Sequence, residues 1–195
     1  MNEMNGHRWG VEGPPPEAYS RVTNPKRFAP LHAAAEELLE GLEHEFDTER
    51  TRGYGLDPEL EEGFKLARPS VSLAPRDTGA APIVVAFSAF PGLRVRFGRW
   101  HMVAFPTCGC DACDETAESE INRLSSLIDN VTAGRYRESL RITADRVASL
   151  RSEFWSVSGR CAGQSQVDRA GTRLLLAARD RSSYDWRPWP RRAAS

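Results

Sequence analysis

Cysteine is scarce and unevenly placed: the 195 residues hold four, three of them within positions 108–113. That is too few and too clustered for a disulfide framework, and Cys108 and Cys110 stand too close in sequence to bridge without strain. In a reducing compartment they are thiols or metal ligands. Long apolar runs are missing as well, since the longest, residues 83–87, falls far below the ~20 residues that a bilayer span requires. Residues 1–13 lack the apolar core of a signal peptide. Together these absences predict a cytoplasmic protein with no membrane partner.

An excess of either charge is also lacking. The formal net charge is −1 and the pI about 6.4, so no global field draws the chain to nucleic acid. A nucleic-acid partner is therefore not expected, whereas a protein partner stays open. No Gly-x-Gly-x-x-Gly, P-loop or Gly-x-Ser-x-Gly elbow occurs. Nucleotide binding and the serine-hydrolase pattern thus have no support, and no residue is assigned a catalytic role. Apolar residues at 40% and charged residues at 27% suit one globular domain with a single core.

What is present reads as an α+β fold, a single domain in which an antiparallel sheet packs against two main helices. Residues 1–29, with three consecutive prolines, read as an extended arm pinned through Tyr19, Val22 and Phe28. The domain proper spans residues 30–181, and residues 182–195 form a Trp/Arg/Pro-rich tail. Leu31, Ala35, Leu38, Leu42 and Phe46 recur at helical spacing and predict a helix ending near Arg50, with His32 and His44 on its surface. Asp57-Pro58 opens a short helix. Strands are predicted at residues 70–74, 82–90 and 93–105.

The last of these reads as a hairpin folded at Gly98-Arg99 in a type II′ turn. That register pairs Phe97 with Trp100, Val95 with Met102 and Leu93 with Ala104, and sets His101 beside Arg96 on the polar face. There the neighbouring guanidinium biases the imidazole toward its neutral form. Ile121, Leu124, Ile128 and Val131 define a second helix over residues 115–133, capped by Asp114 and ended by Gly134. Beyond it come a strand at 135–142, a hairpin formed by 149–157 and 162–167, and a short helix at 168–179.

Between strand and second helix lies Cys108-Gly109-Cys110-Asp111-Ala112-Cys113. Thiolates bind Zn²⁺ tetrahedrally, and Cys-x-Cys-x-x-Cys offers three ligands from one turn. Gly109 permits the backbone angles that let flanking sulfurs converge. The expected metal set is Cys108, Cys110, Cys113 and His101, with Cys161, Asp111, Asp114 or Glu115 as other fourth ligands. Three further readings stand beside a structural Zn²⁺: small side chains packing with no metal, a Cys110–Cys113 redox pair at a helix N-terminus, and a hydrolytic metal using Asp114 or Glu115 as base. The tail residues Trp186, Arg187, Trp189, Arg191 and Arg192 either dock on the core or stack on bases.

Phe90-Pro91-Gly92, Arg99-Trp100-His101, the run Cys108-Gly109-Cys110-Asp111-Ala112-Cys113-Asp114-Glu115 and the closing Trp186-Arg187-Pro188-Trp189-Pro190-Arg191-Arg192 carry a resemblance. They resemble an actinobacterial family known only as a domain of unknown function, over roughly residues 30–192. The resemblance implies no activity, substrate or partner. From the residues, the expectation is a non-catalytic binding or regulatory module with structural zinc; the alternative is a small metal- or thiol-dependent enzyme using the cysteines and His101.

Overall fold

The computed structural model describes residues 9–142, 148–156, 159–167 and 182–193. Two 3-10 turns, Pro16–Ser20 and Pro25–Phe28, lead into helix α1, Pro30–Glu45. Strand β1 (Thr48–Gly53), the one-turn helix α2 (Pro58–Glu61), and strands β2 (Leu66–Pro75), β3 (Ile83–Ser88), β4 (Leu93–Phe97) and β5 (His101–Phe105) come next. Helix α3 (Ala117–Thr132) precedes β6 (Tyr136–Ile142), β7 (Ala148–Ser156), β8 (Gly159–Val167) and β9 (Ser183–Asp185). Strands β1 to β5 form an antiparallel meander in sequence order, and a second sheet runs β8-β7-β6-β9. The class is α+β, with two main helices. The short helix expected at 168–179 lies outside the described residues.

Helix α1 buries Leu31, Ala35, Leu39 and Leu42, and α3 buries Leu124, Ile128 and Val131. Both stripes join one core with Val71, Leu73, Ile83, Val85, Phe87, Leu93, Val95 and Phe97 of the first sheet. Helix α1 stops earlier than its apolar spacing predicts. Phe46 turns to extended geometry as the C-cap, and the charged segment Thr48–Gly53 becomes an edge strand. Arg50 and Arg52 of β1 reach back to Glu36, and Arg50 also to Glu43, so the strand is tied to the helix by ion pairs. His44 is exposed, but His32 is not a plain surface residue. Its Nε2 lies 2.9 Å from the Gly92 carbonyl and its ring meets Phe87 edge-on.

The β4–β5 hairpin differs from the two-residue turn by one position. Phe97 pairs with His101, Val95 with Val103 and Leu93 with Phe105, leaving residues 98–100 as a three-residue loop. A one-residue slip moves every side chain of a strand to the other face. Met102 therefore points outward, 43% exposed, and His101 joins the apolar face beside Phe97 rather than the polar face beside Arg96. The cause is not local. The buried Glu138 of β6 accepts the backbone N–H of Arg99 at 2.5 Å and of Trp100 at 2.8 Å, which holds the wider loop open. Arg96 instead pairs with Asp57 and Glu59 around α2 on the reverse of the sheet.

The arm and tail both dock. Ala18 and Phe28 are fully buried, whereas Tyr19 and Val22 are exposed and pin nothing. Trp189 enters the core, meets Phe46 edge-on at 5.6 Å and donates its indole N–H to the Ala81 carbonyl. Trp186 stacks on Tyr184 and donates to Glu138. The tail arginines Arg187 and Arg191 pair with Asp77 and Glu45.

Burial pushes the Glu138 carboxyl up, partly opposed by the amides of Arg99 and Trp100. A raised folded value means that the native state holds this proton more tightly, so its stabilisation is complete below the ordinary carboxylate range and fades as pH rises through the folded value. The stability advantage of the natural chain over Glu138→Gln is therefore expected to be largest below about pH 4, under the ordinary carboxylate range, and to shrink as pH rises toward neutrality. Urea unfolding across that range measures it, and an advantage that grows with pH would contradict it.

Candidate metal centre

Strand β5 ends at Phe105, and the chain enters the cysteine turn through a cis Phe105–Pro106 bond. Three residues shape the turn: Gly109, Glu115 and Asp111. Gly109 sits at φ 77°, where an added Cβ would come within 3.0 Å of Pro106 and 3.2 Å of Phe90. That left-handed position with no free volume accounts for glycine between the first two cysteines. Glu115 reaches back across the turn, its carboxylate accepting N–H groups of Thr107 at 2.9 Å, Cys108 at 3.2 Å and Gly109 at 2.8 Å. Asp111, 1% exposed, accepts from the backbone and hydroxyl of Thr23 and from Arg21.

Thr116, not Asp114, caps helix α3, in a reciprocal capping box with Ser119. The physical reason is one of position. Glu115 is committed to the turn, so the helix can begin only after it. Asp111 is likewise committed, and the Thr23 amide and Arg21 hold its carboxyl below the usual range.

These constraints bring the Sγ atoms of Cys108, Cys110 and Cys113 within 4.8 Å of one another. Cys110 and Cys113 are 3.5 Å apart. Tetrahedral Zn²⁺ at ~2.3 Å from each sulfur sets neighbouring thiolates about 3.8 Å apart, so the three thiols fit three corners of such a shell. Among the described residues no histidine or carboxylate joins the group. Exposure is graded, with Cys110 buried, Cys113 half-buried and Cys108 exposed. Hydrogen bonding from the Cys108 thiol lowers the Cys110 value, while the contact with Cys110 pushes Cys113 up to about 12. One sulfur thus takes the negative charge more readily and its neighbour holds its proton. A bound cation reverses that balance by displacing protons from all three, so affinity must rise with pH.

His101 is not with the sulfurs. Its ring lies among Phe97, Tyr136 and Phe154, with centroids 6.2, 6.3 and 5.2 Å away. It opens strand β5, whereas the cysteines lie beyond the strand's far end, about 13 Å along at the usual rise per residue. Burial lowers its value to about 4, so the imidazole is neutral for a different reason from a neighbouring arginine. Cys161 lies on β8, opposite Phe154, in the second sheet. Sequence reasoning missed the bracing residues Glu115, Arg27 and Thr23. For Glu115 a signal existed, a carboxylate placed between a loop of free amides and a helix start. For Arg27 and Thr23 none existed, because they act across more than 80 residues.

The fold and this turn define a class: an α+β domain whose sheet hands over to a helix through a three-thiol corner. The model of a family of unknown function, DUF6226, matches residues 4–193, and the chain belongs to that family. Comparison with curated proteins and with solved structures finds no match.

In the reduced, metal-free protein, alkylation by iodoacetamide at pH 8.5 is expected to modify the exposed Cys108 well before Cys113, which is half-buried and whose proton is held to about 12. Peptide mass spectrometry of a time course gives the order, and early labelling of Cys113 would show that the thiols do not share protons in this way.

Proposed function

We propose that the chain is a non-catalytic binding or regulatory module whose strand-to-helix corner is held by Zn²⁺ on Cys108, Cys110 and Cys113, in a reducing, cytoplasmic setting. The observation that carries this reading is the convergence of three sulfurs within 4.8 Å on a turn braced by Glu115. Soft thiolates select Zn²⁺ or Cu⁺ over hard cations, and sulfur-rich zinc sites more often stabilise a fold than act on a substrate. A protein is the partner class that fits a module with no nucleotide motif in its sequence and, among the described residues, no helix long and apolar enough to cross a membrane. The enzyme reading needs a base at the metal. Two of its candidates are engaged elsewhere, His101 among aromatic rings and Glu115 by three amides, which leaves Asp114.

The test is elemental analysis of reduced protein purified without metal-affinity resin. One zinc per chain is expected, retained in His101→Ala and lost in Cys110→Ser and Cys113→Ser. At free zinc 1,000-fold above Kd, the bound form gains about 4 kcal/mol of stability. Absence of metal together with three freely titrating thiols overturns the reading. Zinc that leaves without loss of stability, taking a hydrolytic activity with it, favours the enzyme.

A further inference from the structure

The arm's polar contacts with the cysteine turn fall between the three sulfurs. The Asp111 amide donates to the Arg21 carbonyl at 2.7 Å, and the Ala112 amide to the Ala18 carbonyl at 3.1 Å. In the other direction, the Arg27 guanidinium donates to the carbonyls of Gly109 and Cys110, each at 3.0 Å. The Asp111 carboxylate accepts from the Thr23 amide at 2.9 Å and from Arg21 Nε at 3.1 Å, with Arg27 at 3.7 Å. Trp9 and Ala18 complete the interface by packing against Cys110, Ala112 and Cys113. The backbone of residues 109–112 thus faces two ways: its side chains carry or flank the sulfurs, and its amides and carbonyls hold the arm.

We propose that the thiol turn and the arm, residues 9–28, form one coupled unit, so that a metal ion bound by the three cysteines controls whether the arm is docked. The inference rests on the zinc reading above and adds regulation to it. An ion that draws the sulfurs together fixes the backbone between them, which presents amides and carbonyls at the spacing the arm requires. Loss of the ion frees that backbone, and the arm loses its acceptors and donors together. Coupling between two binding events is reciprocal by thermodynamic necessity, so a docked arm must also tighten the metal. Arg27 and Asp111 are the positioning residues: neither offers the metal a ligand atom, yet both set the turn that does.

The experiment compares full-length reduced protein loaded with one equivalent of Zn²⁺ and the same protein stripped with a chelator, by amide hydrogen exchange read on peptides from residues 9–28. Zinc is expected to slow exchange there by about tenfold, within the range usual for coupled sites, while the strands of the first sheet change little. Arg27→Ala is expected to weaken zinc by a similar factor, read by competition with a chromophoric chelator, although all three cysteines remain. Zinc bound normally with unchanged protection of the arm overturns the coupling and leaves the metal reading intact. No zinc binding at all overturns both. A purely architectural arm would be protected equally with and without the ion, so the wild-type comparison decides the matter even if Arg27→Ala fails to fold.

Discussion

Four donors from three parts of the chain converge on the carboxylate of Glu138. The amides of Arg99 and Trp100 come from the β4–β5 loop, the hydroxyl of Tyr136 from its own strand, and the indole of Trp186 from the tail. A buried carboxylate left short of partners is costly, whereas one with each oxygen doubly engaged fixes the positions of everything that reaches it. Here it fixes the hairpin register of the first sheet, the approach of the second sheet and the path of the tail at once. Even Gly98 belongs to this arrangement, since a Cβ at its φ of 65° would collide with the Glu138 Oε1 atom. Register then determines which side of β5 is greasy, and with it the surroundings of His101.

The same device recurs at the other end of β5. Glu115 and Asp111 are acidic residues next to cysteines, a setting that by simple repulsion disfavours thiolates. The geometry assigns both charges elsewhere, one to loop amides and the other to the arm's Thr23 and Arg21. With both of these carboxylates engaged, hydrogen bonding among the three thiols decides which of them holds its proton. Glu115 thus holds the backbone of the turn, and Asp111 holds the arm against it.

Elements whose pattern is written in apolar spacing were legible in the sequence. Helix α3 is read from Ile121, Leu124, Ile128 and Val131, its end from Gly134 at φ 67°, and α2 from Asp57, which accepts from the Leu60 amide. The convergence of three cysteines was legible for the same reason, since short spacing and a glycine suffice to allow it. Three things were not. Strand β1 buries almost nothing and is specified by pairing with β2 and by arginines that answer Glu36 on a helix. The hairpin register depends on a carboxylate nearly 40 residues downstream. The place of His101 is set by that register, so an error of one residue in a turn became an error about a ligand.

Trp189 is drawn into a core made chiefly by much earlier residues, with its nearest ring at Phe46 and its hydrogen bond at Ala81, 108 positions back. During synthesis the helices and the first sheet emerge well before the side chain that closes them. Until it arrives, Phe46 and its neighbours present an oily seam to the cell, the kind of transient surface on which chaperones act and nascent chains clump. Vectorial synthesis therefore places the closure of this core after nearly all of its other residues have been made.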